Sequence, residues 1–393
     1  MLKYYVWLVM KEKIGIYIHI PFCKSKCYYC DFVSYCNMDE FIDEYIQALC
    51  NEILQNSEIL SSYQISTVYF GGGTPSYIPS KYITRIMDTL KLFVNDEYMF
   101  DEVTIEVNPN SVDYSKLKEY KKAGINRISV GLQSTHDTVL KNIGRAHVFK
   151  DFLDTMDLIK KVGFNNVSVE LIYPLPGLNV KLLDDTLNKV IDMSDEYSIK
   201  HISIYNLEVH EDGKLKFLLE NGFLKLPDED EEYIMKEHIN SILEKNMYHK
   251  YEISNFAKNG FESKHNLNYW TQGSYLGFGV NASSFFLGTR YTNVSKIDSY
   301  IEMAKNFNVI AKQKEELNKL DLMKEYIILN LRLSSGVNIN KFKKKFDVDV
   351  YSLFGSELKE LCDLNLLVLK NDDTFVLTKR GTEVANIVWE KFI

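Results

Sequence analysis

The stretch that decides the fold is GIYIHIPFCKSKCYYC, residues 15–30. Its first half is an apolar run that predicts a β-strand, and Cys23, Cys27 and Cys30 follow at once in the spacing CxxxCxxC. Three thiolates are one short of the four that complete an ordinary iron–sulfur cluster. A metal site that lacks one protein ligand keeps an open coordination position, which separates a reactive centre from a structural one. The competing reading is a zinc knuckle without its fourth ligand, for which His19 on the strand is a candidate. Three cysteines spaced this way directly after a first strand favour the cluster.

Outward from that stretch, strand-like runs at 15–20, 67–70, 102–107, 127–130, 166–172 and 201–206 alternate with amphipathic segments. The latter lie at 39–54, 80–93, 114–123, 150–162 and 182–193. Such alternation predicts βα units and a parallel sheet. Six units with no dinucleotide-binding fingerprint favour a partial (β/α)6 barrel of the TIM type, in which functional residues gather where strands end. The pattern divides the chain into an extension (1–13), the barrel (14–206), a barrel extension (207–305) and a C-terminal winged-helix-like domain (306–393). Asp228 with Glu231 three residues later predicts a helix start, whereas 251–292 reads as irregular.

The chain has 393 residues, a net charge of -8 and 46% hydrophobic residues. That is an ordinary globular composition, and its charge argues against a nucleic-acid surface. The 26 tyrosines and 22 phenylalanines suit a large apolar ligand, although the core accounts for most of them. Six cysteines, three of them clustered, fit one metal site in a reducing cytoplasm rather than a disulfide framework. The apolar patch at 4–10 is too short to span a membrane and has no cleavage site, which leaves peripheral membrane contact open. Met10 is a second candidate start.

An open cluster iron can be chelated by the amino and carboxylate groups of S-adenosylmethionine. One electron then cleaves the sulfonium C–S bond to a 5′-deoxyadenosyl radical, chemistry that the cofactor supplies and the protein shields. Gly71-Gly72-Gly73-Thr74-Pro75 closes the second strand-like run. Backbone without side chains approaches a ligand closely, which suits a grip on the methionine amino group. Glu106, Gln133 and Glu170 stand at three further strand ends, placed for ribose hydroxyls and an ammonium. Arg145 offers a bidentate fork to a carboxylate. Any one of these is more often a cap or a loop ion pair; four on successive units form a pattern.

Together GIYIHIPFCKSKCYYCDF, YFGGGTPS, IEVNPNSV, NRISVGLQS and LIYPLPGL resemble the radical S-adenosylmethionine proteins of the coproporphyrinogen III oxidase-like family. His265-Asn-Leu-Asn-Tyr-Trp270, after Tyr251 to Ala257, is similar to the signature of its HemW-type heme-chaperone branch. The resemblance covers nearly the whole chain. It implies a [4Fe-4S] cluster on Cys23, Cys27 and Cys30, with Tyr17 and Tyr29 flanking it. It implies S-adenosylmethionine contacts from Gly72, Gly73, Thr74, Glu106, Gln133, Arg145 and Glu170. It further implies a heme near His265 or a neighbour in its motif, a heme-acceptor protein, and an electron donor such as flavodoxin or ferredoxin. A neutral imidazole is a competent axial ligand, and a loop histidine bonded to backbone is the plainer alternative.

Two departures bear on activity. The oxidases carry a fourth cysteine two residues after the third; Phe32 stands there, and Cys36 lies too far along to restore the pattern. Asn281, Ala282 and Ser283 occupy a segment where relatives often have a histidine, which removes one heme ligand. The expected function is heme binding and delivery. The alternatives are radical decarboxylation of coproporphyrinogen III and radical methylation of a tetrapyrrole.

Overall fold

The computed structural model describes residues 11–94, 100–306, 308 and 310–393. The apolar patch at 4–10, the choice between Met1 and Met10, and most of the extension expected over 1–13 lie outside the described residues. The centre of the fold is six strands: β1 (Lys13–Ile20), β2 (Gln64–Gly72), β3 (Glu102–Val107), β4 (Arg127–Gln133), β5 (Val167–Tyr173) and β6 (Ile199–Asn206). They lie side by side in chain order, each parallel to the next. The crossovers carry helices Ile42–Gln55, Ser80–Lys91, Tyr114–Ala123, Phe149–Val162 and Val180–Asp192. Consecutive parallel order with helical crossovers is the winding of a (β/α) barrel, so the expected six-stranded core is the observed one.

Beyond β6 the sheet continues with short antiparallel strands, β7 (His249–Lys250) at the edge and β8 (Asn255–Ala257) next to β6. Beyond β1 it continues with β9 (Tyr275–Phe278), β10 (Ser283–Phe286), β11 (Thr289–Asn293) and β12 (Ala311–Glu316). Among the described residues β12 and β7 are the two edges, and the barrel stays open.

A two-residue period builds this core. In β1 the isoleucines 14, 16, 18 and 20 are fully buried, while Tyr17 and His19 point to the other face. Val68 and Phe70 alternate with Thr67 and Tyr69 in β2, and Val103 and Ile105 with Thr104 and Glu106 in β3. Polar groups on the inner face are partnered across strands, as buried polar groups must be. Tyr69 donates to Glu106 Oε1 at 2.9 Å, Ser129 to Glu170 Oε1 at 2.6 Å, and Ser168 bonds His201 Nδ1 at 2.8 Å.

The sequence signature at Asp228 is realised: its side chain accepts from Glu231 N at 2.9 Å and caps helix Glu229–Lys245. The segment read as irregular is instead structured, holding β8, helix Lys264–Trp270 and β9–β11. These elements span three to seven residues, too short to show a period of their own. β9 is fixed by pairing with β1 and β8 by pairing with β6, and β10 and β11 continue the sheet from β9.

Residues 319–392 build a second core around Phe342, with Tyr326, Phe346 and Phe354 packed on it. Its helices Lys319–Leu331, Ile339–Phe346 and Val350–Asp363 precede a hairpin of β14 (Leu367–Lys370) and β15 (Thr374–Leu377) that also pairs with β13 (Val337–Asn338). Helices followed by such a hairpin match the expected winged-helix-like arrangement. No helix of the described residues is long and apolar enough to cross a membrane.

One buried carboxylate ties the sheet extension to the barrel. Glu52, on helix Ile42–Gln55, accepts from Gly279 N (2.8 Å), Tyr300 Oη (2.6 Å) and Asn293 Nδ2 (2.7 Å). Burial outweighs those donors and pushes its pKa from 4.5 up to about 7. Between those values the folded state holds a proton that the unfolded chain has released, so stability falls as pH rises from about 4.5 to about 7. The slope corresponds to a few kcal/mol, on the order of 1.4 per pH unit. Glu52→Gln should flatten that limb in urea titrations at successive pH values; an unchanged slope contradicts the assignment.

Candidate functional site

The cysteine loop leaves β1 at Pro21 and folds back on itself. Cys23 N donates to Tyr35 O (2.9 Å), Tyr35 N to Pro21 O (2.6 Å) and Tyr28 N to Ile143 O (3.0 Å). His19 Nε2 bonds Val33 O at 2.8 Å. A carbonyl only accepts, so Nε2 carries the proton and Nδ1 is left to accept from Tyr17 Oη, 3.1 Å away. Burial pushes the His19 pKa down to about 4, keeping the ring neutral. With both nitrogens engaged, His19 has none to offer as a fourth metal ligand. Gly72, at φ 103°, packs on this imidazole; a Cβ there would lie 2.4 Å from Cε1.

The loop and the strand ends enclose a cavity of about 400 Å³. Cys23, Cys27, Cys30 and Tyr29 line one side of it, and Gly72, Gly73, Thr74, Glu106, Gln133, Arg145 and Glu170 the rest. All the residues that the resemblance assigns to the cluster, S-adenosylmethionine and heme, except Tyr17 and His265, thus meet in one place. Gly73 is required by space: a Cβ would sit 2.8 Å from Ile20 O.

Among the described residues no three His, Cys, Asp or Glu side chains converge as a mononuclear site requires. Cys23 contacts Thr74 Oγ1 at 3.4 Å, and burial pushes its thiol up to about 11. Burial raises the Cys30 thiol as well. Metal binding there would therefore displace protons.

The cavity wall is electrostatically unfinished. Burial, and then Glu170, raise the Glu106 carboxyl well above its ordinary range. No lysine or arginine forms an ion pair with either carboxylate among the described residues. Arg145 donates from Nη2 to Gly131 O (2.6 Å) and Asn108 Oδ1 (2.9 Å), and its Nη1 lies 3.6 Å from Cys27 Sγ. Its Nε and the Oε1 of Gln133 are buried without a partner. Each such orphan costs roughly 1–3 kcal/mol, so the empty wall fits a zwitterionic ligand that brings both a cation and an anion. Asn108, which sequence reasoning did not single out, joins Arg145 to Thr74 Oγ1 (3.0 Å). Its signal was its position two residues after Glu106 in IEVNP.

A second cavity of about 500 Å³ shares Asp31 and Phe32 with the first. Tyr17 lies here, with Tyr269, Trp270, Tyr275, Phe285 and Arg290. Phe32, at the position of the oxidases' fourth cysteine, is 58% exposed on the shared wall.

His265 corrects an expectation. Its helix sits beneath the N-terminal halves of β1–β3, opposite the cysteines. The Glu102 carboxylate accepts from Ser263 Oγ, Lys264 N and His265 N. The His265 ring, 1% exposed, bonds Thr67 Oγ1 through Nδ1 (2.8 Å) and Tyr269 Oη through Nε2 (2.7 Å) and stacks on Tyr69. Burial, then the charge on Arg127, push its pKa down to about 3. Neither nitrogen is free for an iron, and the motif reaches the second cavity through Tyr269 and Trp270 instead.

Residues 17–190 match the model of the Radical SAM superfamily, and residues 317–384 that of the HemN C-terminal domain. The chain is 36% identical to the heme chaperone HemW of Lactococcus lactis over 386 residues, which cover 98% of each protein. It is 34% identical to HemW of Bacillus subtilis over 377 residues, 96% of this chain and 98% of that one. The chain belongs to the HemW-type family of radical SAM proteins. The solved structure of coproporphyrinogen III oxidase (HemN) from Escherichia coli superposes with a TM-score of 0.82, covering 98% of this chain and 90% of that one. At 21% identity that likeness shows a shared fold.

His265→Ala removes two hydrogen bonds and leaves a hole under the barrel. It should lower unfolding stability by about 2–4 kcal/mol in denaturant titrations; an unchanged midpoint would contradict the buried, doubly bonded placement.

Proposed function

We propose that this chain binds heme and transfers it to an acceptor protein, and that it carries a [4Fe-4S] cluster and S-adenosylmethionine. The observation that carries the reading is a pair of cavities divided by Asp31 and Phe32, one lined by thiols and unpaired charges, the other by aromatic rings. Cys23, Cys27 and Cys30 would hold the cluster, with Arg145 Nη1 beside Cys27 to offset thiolate charge. Glu106 and Glu170 would face the cationic part of S-adenosylmethionine. The free edges of Arg145 and Gln133, with the backbone of Gly72 and Gly73, would take its polar groups. Tyr29 and Thr74 would close the sides. Bound and supplied with an electron by a flavodoxin- or ferredoxin-type donor, this pair of cofactors supplies one-electron radical chemistry.

The aromatic cavity suits a flat apolar macrocycle, because Tyr and Trp combine large apolar faces with a polar edge. Relatives named as heme chaperones, aligned along nearly the whole chain, support the same reading. Phe32 in place of a fourth cysteine supports delivery over decarboxylation. The six cysteines are all free, which supports residence in a reducing cytoplasm.

The test is a heme titration followed at the Soret band on protein reconstituted anaerobically, with coproporphyrinogen III turnover assayed in parallel by mass spectrometry. Saturable heme binding without turnover is expected; decarboxylated product at a catalytic rate would overturn delivery as the function. Cys27→Ser should lose the brown absorbance near ~400 nm of the cluster, and unchanged iron content would refute the ligand set. Arg145→Lys should weaken S-adenosylmethionine binding about tenfold, because a lysine cannot hold Gly131 O and Asn108 Oδ1 while presenting a further donor in place of the idle Nε; equal affinity in calorimetry would remove Arg145 from the site.

A further inference from the structure

We propose that Arg332, gripped between the indole rings of Trp270 and Trp389, is the positioning residue through which the C-terminal module sets the aromatic wall of the second cavity. The inference rests on the reading of that cavity as the heme site.

The guanidinium carbon of Arg332 lies 4.4 Å from the centroid of the Trp270 ring and 5.0 Å from that of Trp389. The three residues come from separate elements. Trp270 ends the helix of the HNLNYW motif, Arg332 follows helix Lys319–Leu331, and Trp389 lies on the helix Ala385–Glu390. Only Trp270 of the three lines the cavity.

Among the described residues the Arg332 side chain makes no hydrogen bond or ion pair. Its Nε and the Nε1 of both tryptophans are buried without partners. The nearest opposite charge that acts on it is Glu252, too distant for a salt bridge, and that carboxylate is engaged by Ser254 N and Asn255 Nδ2. Stacking on two ring faces is thus what holds the cation, an interaction that strengthens as it is desolvated.

The consequences reach the cavity by short steps. Tyr269, next to Trp270, bonds His265 Nε2 and packs edge-on against Tyr275, ring centroids 4.5 Å apart. Leu329, one turn before Arg332, lines the cavity from the C-terminal module. Other ties dock the same segment: Gln272 Nε2 donates to Leu322 O (2.9 Å) and Lys345 Nζ to Gln272 O (3.3 Å). Removing the cation should therefore leave the module docked while freeing the Trp270 ring. The tryptophan that closes the family's motif acts here as a joint between two cores, and its cavity face is held from behind.

Heme titrations of Arg332→Met and Trp389→Ala test the clamp at two residues outside the cavity. Each should weaken heme binding about tenfold and shift the Soret maximum. Arg332→Lys and Trp389→Phe keep a cation and a ring face and should recover most of the affinity. Wild-type affinity in both disruptive variants overturns the proposal, as does an equal loss in the conservative pair.

Failure of the unaltered protein to bind heme would sink the heme reading alone, and fluorescence then decides the clamp. The chain has three tryptophans, so Trp7→Phe with Trp389→Phe leaves Trp270 as sole emitter. Arg332→Met in that background should raise acrylamide quenching of Trp270; unchanged quenching overturns the clamp.

Discussion

Each strand of the parallel sheet must satisfy two environments at once, and the rest of the molecule follows from that constraint. One face packs on helices and is isoleucine, valine and phenylalanine; the other faces an interior too polar to be a core. Hydroxyls, imidazoles and carboxylates there have to find one another, and low in the barrel they do, through Thr67, His265, Ser168 and His201. Toward the C-terminal strand ends the accounting stops closing. Among the described residues Glu106 and Glu170 form no ion pair, Arg145 keeps an idle N–H, and Gln133 an idle oxygen. Low in the barrel Arg127 Nε is also a buried orphan, and the cysteine loop sits at the other end, where these four groups line one cavity.

Much of this was legible in the sequence because it depends on local spacing. The strand before the cysteines, the glycines after β2 and the polar residues at successive strand ends are short-range signals, and parallel winding brings them together. The cap at Asp228 was legible for the same reason. β8 and β9 were not, because their pairing partners β6 and β1 are remote in the chain, and β10 and β11 were not, because four or five residues are too few to show a period. Asn108 was visible but unweighted; only the fold shows it between Arg145 and Thr74.

His265 illustrates a different limit. A histidine in a family motif invites the reading of a ligand, yet its availability depends on what its two nitrogens already touch. Thr67 and Tyr269, one distant in sequence and one a helical turn away, occupy both. Of the motif's residues, Tyr269 and Trp270 are the ones that line the cavity adjoining the cysteines. A family resemblance identified the motif, but what each of its residues touches required the third dimension.

The pairing of β1 with β9 carries a consequence for how the chain is made. β1 is made before β9, and its far edge stays bare until Tyr275–Phe278 has been synthesised. A bare edge of alternating isoleucines is a template for pairing with another chain. From the completion of β6 until β9 is made, the six-stranded sheet has an open flank at β1, and its protection against aggregation has to come from elsewhere. The same late strands bring the residues that form the aromatic cavity. The ring-lined chamber is closed later still, when helix Lys319–Leu331 adds Glu325 and Leu329.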